Sequence, residues 1–287
     1  MSTPRVAAVH DLSAFGRCSM TVVMPTLSAM GVQCCPLLTA YLSTHTGGFT
    51  GNTFLDLTDQ MGPVAAHWQE EHVTFDGIYT GFLGSFDQIR LTADFIRAFR
   101  GKNNFVVVDP VMGDHGRPYR TYTPEMCAAM GELTALADVI TPNRTEAAIL
   151  LGEDYGALRL DTPEEAERRT RALSREGRCS VVLTGVSLSP DTIGAACFDR
   201  EAGETAFVSA PKVPGSCHGT GDLFSAVLTG ALARGRTLQQ AAQAAADFVA
   251  RCVERTRQQD YPAREGVDFE PLLWQLGREF YTGGNER

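Results

Sequence analysis

No run of about 18 apolar residues occurs anywhere in the chain, so nothing in it reads as a membrane span. Residues 1–13 lack the apolar stretch of a secretory signal, and a cytoplasmic protein is the expectation. Basic residues are in deficit: 25 Lys and Arg stand against 34 Asp and Glu, a formal net charge of −9. No Lys/Arg cluster offsets this locally, so neither nucleic acid nor an anionic membrane surface is an expected partner. The familiar phosphate-binding signatures are missing too. Gly101-Lys102 lacks the upstream glycine and the following hydroxyl of a P-loop, and Gly219-Thr220-Gly221 is no G-x-G-x-x-G and comes too late for a first-βα fingerprint. The eight cysteines (18, 34, 35, 127, 179, 197, 217 and 252) form no C-x-x-C pair and show no zinc spacing. Reduced, mostly buried thiols are expected, Cys34 and Cys35 among them on opposite faces of a strand.

What is present is an ordinary globular composition, 44% hydrophobic and 21% charged over 287 residues. A chain of this size buries roughly 75% of its unfolded surface and needs no disulfide or metal to hold its core. Short β-branched runs alternate with helical patterns from end to end, the signature of a parallel α/β sheet with no linker between domains. The predicted strands are Arg5–His10, Val32–Thr39, Gly77–Thr80, Asn104–Asp109, Val139–Thr141 and Ser180–Thr184. Two antiparallel-looking segments follow, Ile193–Phe198 and Thr205–Val208, with a turn at Glu201–Gly203. Helices are predicted near 19–30, 54–71, 86–100, 124–137, 143–151 and 163–176, then two after Gly221 and a last one near 269–281. Phe105–Val108 is apolar at four consecutive positions, which places it mid-sheet, covered on both faces. Gly113–Tyr122 (GDHGRPYRTY) reads as a mobile loop.

In open parallel sheets ligands bind beyond the carboxyl ends of the strands. The segments there are HDLSAFG, STHTGG, DPVMGD, TPNRTE and TGVS. Asp11, Asp109, Asp114 and Glu146 converge on one rim in this arrangement, which is unfavourable unless a cation or protons compensate. Gly219 to Asp222 (GTGD) opens a helix. Its glycines let backbone amides approach a ligand, the helix N-terminus favours an anion, and a carboxylate stands beside them. A base next to an anion hole suits deprotonation of a substrate hydroxyl while phosphate charge is neutralised, which points to phosphoryl transfer.

Each of these residues also has a plainer reading. Asp222 fits a favourable first-turn charge on a helix. Asn143 and Glu146 have the spacing of a capping box. Asp109-Pro110 fits a strand-exit turn, and His45 and Thr46 fit an ordinary hydrogen-bonded loop.

THTG at Thr44–Gly47, VDPVMGD at Val108–Asp114, ITPNRTEAAIL at Ile140–Leu150 and GTGDLFSA at Gly219–Ala226 together resemble the ribokinase superfamily. Within it the chain resembles the pyridoxal/pyridoxamine kinases, from Val6 to about Thr256. The resemblance implies a ribokinase-like three-layer α/β/α fold with a mostly parallel central sheet and a small lid loop, one kinase domain over residues 1–287. It implies ATP- and Mg²⁺-dependent phosphorylation of the 5-hydroxymethyl group of a vitamin B6 vitamer, in salvage to pyridoxal 5'-phosphate, and a homodimer.

By the same resemblance Asp222 is the base, and Gly219, Thr220 and Gly221 form the anion hole. Asp109, Asp114 and Glu146 hold magnesium directly or through water. Asn143 and Thr184 contact nucleotide, Val213 to Gly215 fall at the adenine pocket, and Thr141 joins a monovalent-cation site (K⁺ or Na⁺). His45, Thr46, Phe82 and Asp11 fall at the substrate end. Two of these depart from the pattern: Asp11 stands where many pyridoxal kinases have serine, and Phe82 where a tyrosine often packs on the ring. Asp11-Leu12-Ser13 and Cys217-His218-Gly219-Thr220-Gly221 resemble hydroxymethylpyrimidine kinases instead, which keeps that activity as the alternative. A catalytically silent nucleotide- or vitamin-binding protein is a third reading, opposed by the intact base, anion hole and carboxylates.

Overall fold

A computed structural model describes residues 2–215, 217–259 and 261–282. The strands are β1 (Arg5–Phe15), β2 (Gln33–Thr44), β3 (Phe54–Asp56), β4 (Gly77–Thr80), β5 (Phe105–Val108), β6 (Gly113–Asp114), β7 (Arg117–Pro118), β8 (Val139–Ile140), β9 (Ser180–Val186), β10 (Thr192–Asp199) and β11 (Glu204–Pro211). The α-helices are α1 (Met20–Ala29), α2 (Thr58–Glu70), α3 (Phe86–Phe99), α4 (Pro124–Thr134), α5 (Arg144–Leu151), α6 (Pro163–Leu173), α7 (Thr220–Ala233), α8 (Leu238–Arg257) and α9 (Leu273–Thr282). Among the described residues no helix is long and apolar enough to cross a membrane.

Nine strands form one sheet in the order β11-β10-β9-β8-β5-β4-β1-β2-β3, with β5 at its centre as its unbroken apolar run predicts. From β9 to β2 every pairing is parallel, while β3, β10 and β11 are antiparallel at the two edges. Alternate residues of each buried strand serve opposite cores. Val6 and Ala8 pack under α1, α7, α8 and α9, whereas Ala7 and Val9 pack under the layer of α2 to α6. The result is the three-layer α/β/α arrangement.

Three sequence expectations change. Residues 54–71 do not form one helix: Phe54–Asp56 is an edge strand paired with Ala40–Leu42, and α2 begins only at Thr58. The first two strands run well past His10 and Thr39, staying paired as far as Phe15 and Thr44. Their register shifts between His10 and Leu12, so Asp11 faces a β-bulge. Because β4 pairs with β1 only as far as Val9, the β1–β2 pair projects beyond the rest of the sheet and carries Asp11 out over the rim. The Gly113–Tyr122 segment is no open loop. It contains the β6–β7 hairpin, turned through His115 and Gly116 at φ 51° and 78° and held by the Gly116 amide donating to Thr145 Oγ1 at 2.9 Å. All eight cysteines are free; Cys179, Cys197 and Cys252 are buried and the other five half-buried.

Candidate active site

The site is built where α7 meets the ends of β1, β5 and β8. Gly219 caps α7 at φ 78°, and a Cβ there would sit 2.1 Å from the Arg17 carbonyl oxygen, so the position admits glycine alone. No side chain caps this terminus. The Thr220, Gly221 and Asp222 amides are therefore left for a ligand, at the electropositive end of a 14-residue helix.

Asp222, in the first turn, is fixed from one side. Its Oδ2 accepts the Ser19 amide at 2.8 Å and the Cys18 thiol at 3.3 Å. Among the described residues no donor is directed at Oδ1, which leaves that oxygen for a substrate proton. Burial raises the Asp222 carboxyl above its ordinary range, and Asp11 adds to the effect. A raised carboxyl is a better match for a general base working near neutral pH. Burial, then Asp222 and Asp11, push the Cys18 thiol well up, so it remains a protonated donor.

One helical turn on, Ser225 donates to Asp109 Oδ2 at 3.0 Å and bonds Thr141 Oγ1 at 3.1 Å. Asp109 is 7% exposed, and burial followed by the Asp222 charge pushes its carboxyl up to about 8. Glu146 is buried in α5. It accepts the Met112 amide at 3.2 Å on Oε1 and the Asn143 amide at 2.8 Å on Oε2. Burial, then the Asp109 charge, raise its carboxyl well above the ordinary glutamate value. Asn143 Oδ1 accepts the Thr145 and Glu146 amides at 2.8 and 3.0 Å, completing a capping box, and its Nδ2 donates to the Gly113 carbonyl at 2.9 Å. The capping reading of Asn143 and Glu146 therefore holds, and the same pair ties α5 to the hairpin. Asp114 is exposed and turned onto His115, although its charge is felt at Glu146.

Asp109 and Glu146 are thus two buried carboxylates, both raised first by burial, then by the Asp222 charge at Asp109 and by the Asp109 charge at Glu146, a donor set that a hard dication would relieve. Among the described residues no three His, Cys, Asp or Glu side chains close on one point tightly enough to hold a bare ion.

At the substrate end Asp11 is 5% exposed. It does not face solvent. Ser13, two residues on and on the same face of β1, donates to its Oδ2 at 3.0 Å, and burial raises the carboxyl. His45 is buried, with Nε2 on the Arg264 carbonyl at 2.7 Å and Nδ1 accepting the Gly47 amide at 3.1 Å. That pairing places the ring proton on Nε2. The His45 ring lies 5.0 Å from His218, whose pKa burial lowers. Phe82 is half-buried and stands edge-on to Tyr122 at 6.2 Å. Thr184 donates to the Pro142 carbonyl through its amide at 2.9 Å, next to the α5 cap.

Contacts thus bring together Asp11, Asp109, Thr141, Asn143, Glu146 and Asp222. Thr46 is exposed, and Val213 and Gly215 follow β11 at the sheet edge, where among the described residues they make no hydrogen bond to this cluster. The sequence alone assigns no role to Ser19, Cys18, Ser225 or His218. Ser225 was legible in principle, since it follows Asp222 by three residues and so shares its helix face.

The sequence pattern of a family described as phosphomethylpyrimidine kinase matches residues 24–264. A Bacillus subtilis pyridoxine kinase is 34% identical over 182 residues, 63% of this chain and 65% of that protein. Among solved structures, a Bacteroides thetaiotaomicron protein assigned as a phosphomethylpyrimidine kinase, in an orthorhombic form with pyridoxal, superposes with a TM-score of 0.89. It is 43% identical and covers 96% of both chains. A Lactobacillus plantarum pyridoxal kinase superposes with a TM-score of 0.88 at 33% identity over 99% of both.

Proposed function

This chain belongs to the phosphomethylpyrimidine kinase family, and we propose that within it the protein is an ATP-dependent vitamin B6 kinase of pyridoxal 5'-phosphate salvage. The observation that carries the reading is the state of Asp222: one oxygen held by two donors, the other free, beside an uncapped helix N-terminus. The 43% identical structure with pyridoxal and the pyridoxine and pyridoxal kinases among the relatives support the vitamer class.

In this reading the 5-hydroxymethyl group of the vitamer approaches Oδ1 of Asp222, which takes its proton as the oxygen attacks the γ-phosphorus of ATP, breaking its bond to the β,γ-bridging oxygen and releasing ADP. The amides of Thr220, Gly221 and Asp222 face the charge that builds on the phosphoryl oxygens. Asp109, Asp114 and Glu146 are the residues that would hold Mg²⁺, directly or through water, and Asn143, Thr184, Val213 and Gly215 would line the nucleotide path. The metal supplies charge neutralisation on the phosphates when bound. Thr141 would join a monovalent-cation site (K⁺ or Na⁺). His45, Thr46, Phe82 and Asp11 would receive the ring.

A homodimer in the cytoplasm is the expected setting. Phe15, Tyr41, Phe54 and Leu55, exposed at the projecting β1–β2–β3 end, are apolar surface that a second copy would cover.

Asp11, a buried carboxylate at the substrate end, keeps the hydroxymethylpyrimidine alternative open, because it suits an exocyclic amine that the aminopyrimidine and pyridoxamine both offer. The deciding experiment is a coupled assay of ADP release with Mg²⁺ over pyridoxal, pyridoxine, pyridoxamine, hydroxymethylpyrimidine and a few sugars. Turnover of the vitamers is expected. Turnover of the pyrimidine with none of the vitamers would replace the reading by its alternative.

A further inference from the structure

Between the end of β1 at Phe15 and the start of α1 at Met20 lie four residues, and the last two supply the donors that hold Asp222. They are the Cys18 thiol at 3.3 Å and the Ser19 amide at 2.8 Å. The turn bends through positive φ at Gly16 (91°) and at Ser19 (51°). A serine rarely adopts such a backbone, and it keeps one only where the surroundings over-determine it. From the far end of the chain, that hold on the turn is made through Arg17.

Arg17 meets the segment between α8 and α9 through both its backbone and its side chain. Its amide donates to the Glu265 carbonyl at 3.0 Å, and its carbonyl oxygen lies so close to Gly266 that a Cβ there would be 2.7 Å away. Its guanidinium donates to Asp268 Oδ1 at 3.2 Å, across 251 residues of sequence, and its Nε donates to both Glu270 oxygens at 2.9 and 2.8 Å. Asp268 is the firmer anchor. It is 2% exposed, its Oδ2 accepts from Arg255 of α8 at 2.8 Å, and its amide donates to Thr256 Oγ1 at 2.8 Å. A buried carboxylate with a guanidinium on each oxygen has a fixed place, which an exposed ion pair lacks. The same segment reaches other loops at the substrate end. The Arg264 carbonyl accepts from His45 Nε2 at 2.7 Å, and the Val267 amide donates to the His218 carbonyl at 3.1 Å.

We propose that Arg17 is a positioning residue for the base: clamped onto Asp268 and Glu270, it sets the turn whose thiol and amide hold Asp222, so that the segment after α8 fixes the aim of Oδ1. The inference rests on the proposed function only for Asp222 as the base. An arginine that merely attached the C-terminal segment would lower Tm when replaced, and leave kcat unchanged in the protein that stays folded.

The test uses Arg17→Gln and Arg17→Lys, each assayed well below its own Tm with whichever of pyridoxal, pyridoxine, pyridoxamine and hydroxymethylpyrimidine the wild-type enzyme phosphorylates. In Arg17→Gln the buried Asp268 keeps Arg255 as its partner. In Arg17→Lys the charge stays, but one ammonium does not reproduce a fork that spans two carboxylates. We expect kcat to fall about tenfold in the first and about threefold or more in the second, inside the ~10² that a misplacement of about 1 Å costs. KM for ATP should move less than threefold. Both substitutions are then repeated in an Asp222→Asn background, read by single turnover. There the loss should shrink to less than twofold, because residues that act through one group are not additive. If Arg17→Gln does not fold, Arg17→Lys carries both measurements. A kcat within twofold of wild type in the folded variants would overturn the proposal, as would an equal fold-loss with and without Asp222. The controls separate the failures. A wild type inactive on all four heterocycles, or an Asp222→Asn variant with wild-type kcat, removes the base and this inference with it. Unchanged Arg17 variants beside a crippled Asp222→Asn remove the inference alone.

Discussion

The Ser225 hydroxyl, one turn after Asp222 on α7, donates to Oδ2 of Asp109 at the end of β5, 3.0 Å away across 116 residues of sequence. The bond ties the helix that carries the proposed base to the strand that carries a carboxylate proposed to hold magnesium. It also shows how the site tolerates its charge, because Asp109, pushed up to about 8 by burial and by Asp222, holds a proton near neutral pH when no cation is present.

A pH dependence of stability follows. Asp109 is raised in the folded protein, so between the ordinary carboxylate value of about 4 and about 8 the folded chain retains a proton that the unfolded chain has released. Stability therefore falls as pH rises through that window and levels off above it. His10, buried and lowered to about 3, acts in the opposite sense up to its unfolded value of about 6.5, so the scan should start at pH 7. From pH 7 to 8.5 in a chelator, the Tm of the wild type should fall more steeply than that of Asp109→Asn, and millimolar Mg²⁺ should flatten the wild-type slope. Parallel slopes for the two proteins would remove Asp109 as the titrating group.

Asp222→Asn should fold with an unchanged Tm and bind ATP normally, yet lose about 10²–10⁴-fold in kcat, the range for a general base. The amide keeps the shape and can still accept from Ser19 and Cys18 through its oxygen, so the substitution isolates the proton acceptor. A variant retaining more than roughly a third of wild-type kcat would mean that the hydroxyl is deprotonated by another group.

Much of this architecture is legible in the sequence because buried parallel strands are short apolar runs between turn residues. Gly77–Thr80 is observed with the predicted bounds, and Phe105–Val108 sits at the centre of the sheet. What escaped is long-range. Past His10 the first strand carries the polar Asp11 and Ser13, and pairing with β2 keeps Asp11, Leu12 and Ser13 extended. Phe54–Asp56 is exposed at every residue, so no periodicity marks it, and its strand state comes from Ala40–Leu42. The motif residues Asp109, Asn143, Glu146 and Asp222 were readable from family resemblance. Ser19 was not, because nothing in a sequence announces a serine at φ 51°.

Glu146→Gln should raise the Mg²⁺ concentration needed for half-maximal activity and lower kcat. It should also cost about 1–2 kcal/mol of stability, because Glu146 accepts the Met112 and Asn143 amides on separate oxygens and a glutamine offers only one acceptor. Both roles are therefore expected to fail together. Magnesium titrations of activity and a denaturant melt on the same sample separate them; lost stability with an unmoved Mg²⁺ midpoint would leave Glu146 as a capping residue only.

Asp11→Ser tests which ring the site accepts. Asp11 is 5% exposed at the bulge between β1 and β2, so its carboxylate meets either protein or ligand, not bulk water. Ser13 satisfies one of its oxygens, and burial raises the carboxyl, which leaves it short of favourable partners until a donor arrives from the substrate. Pyridoxamine and the aminopyrimidine bring an amine, and any vitamer protonated at its ring nitrogen brings an N–H. Serine at this position keeps a hydroxyl but no charge. Turnover of pyridoxal and pyridoxine should therefore persist or rise, while kcat/KM for the amine-bearing substrates falls. A buried hydrogen bond to a charge is worth about 1.5–3 kcal/mol, so the ratio between the two groups should shift by roughly ten- to a hundredfold. The measurement is kcat/KM for all four substrates in parallel. If their ranking stayed as in the wild type, Asp11 would only shape the projecting strand, and discrimination would have to come from His45, Thr46 and Phe82.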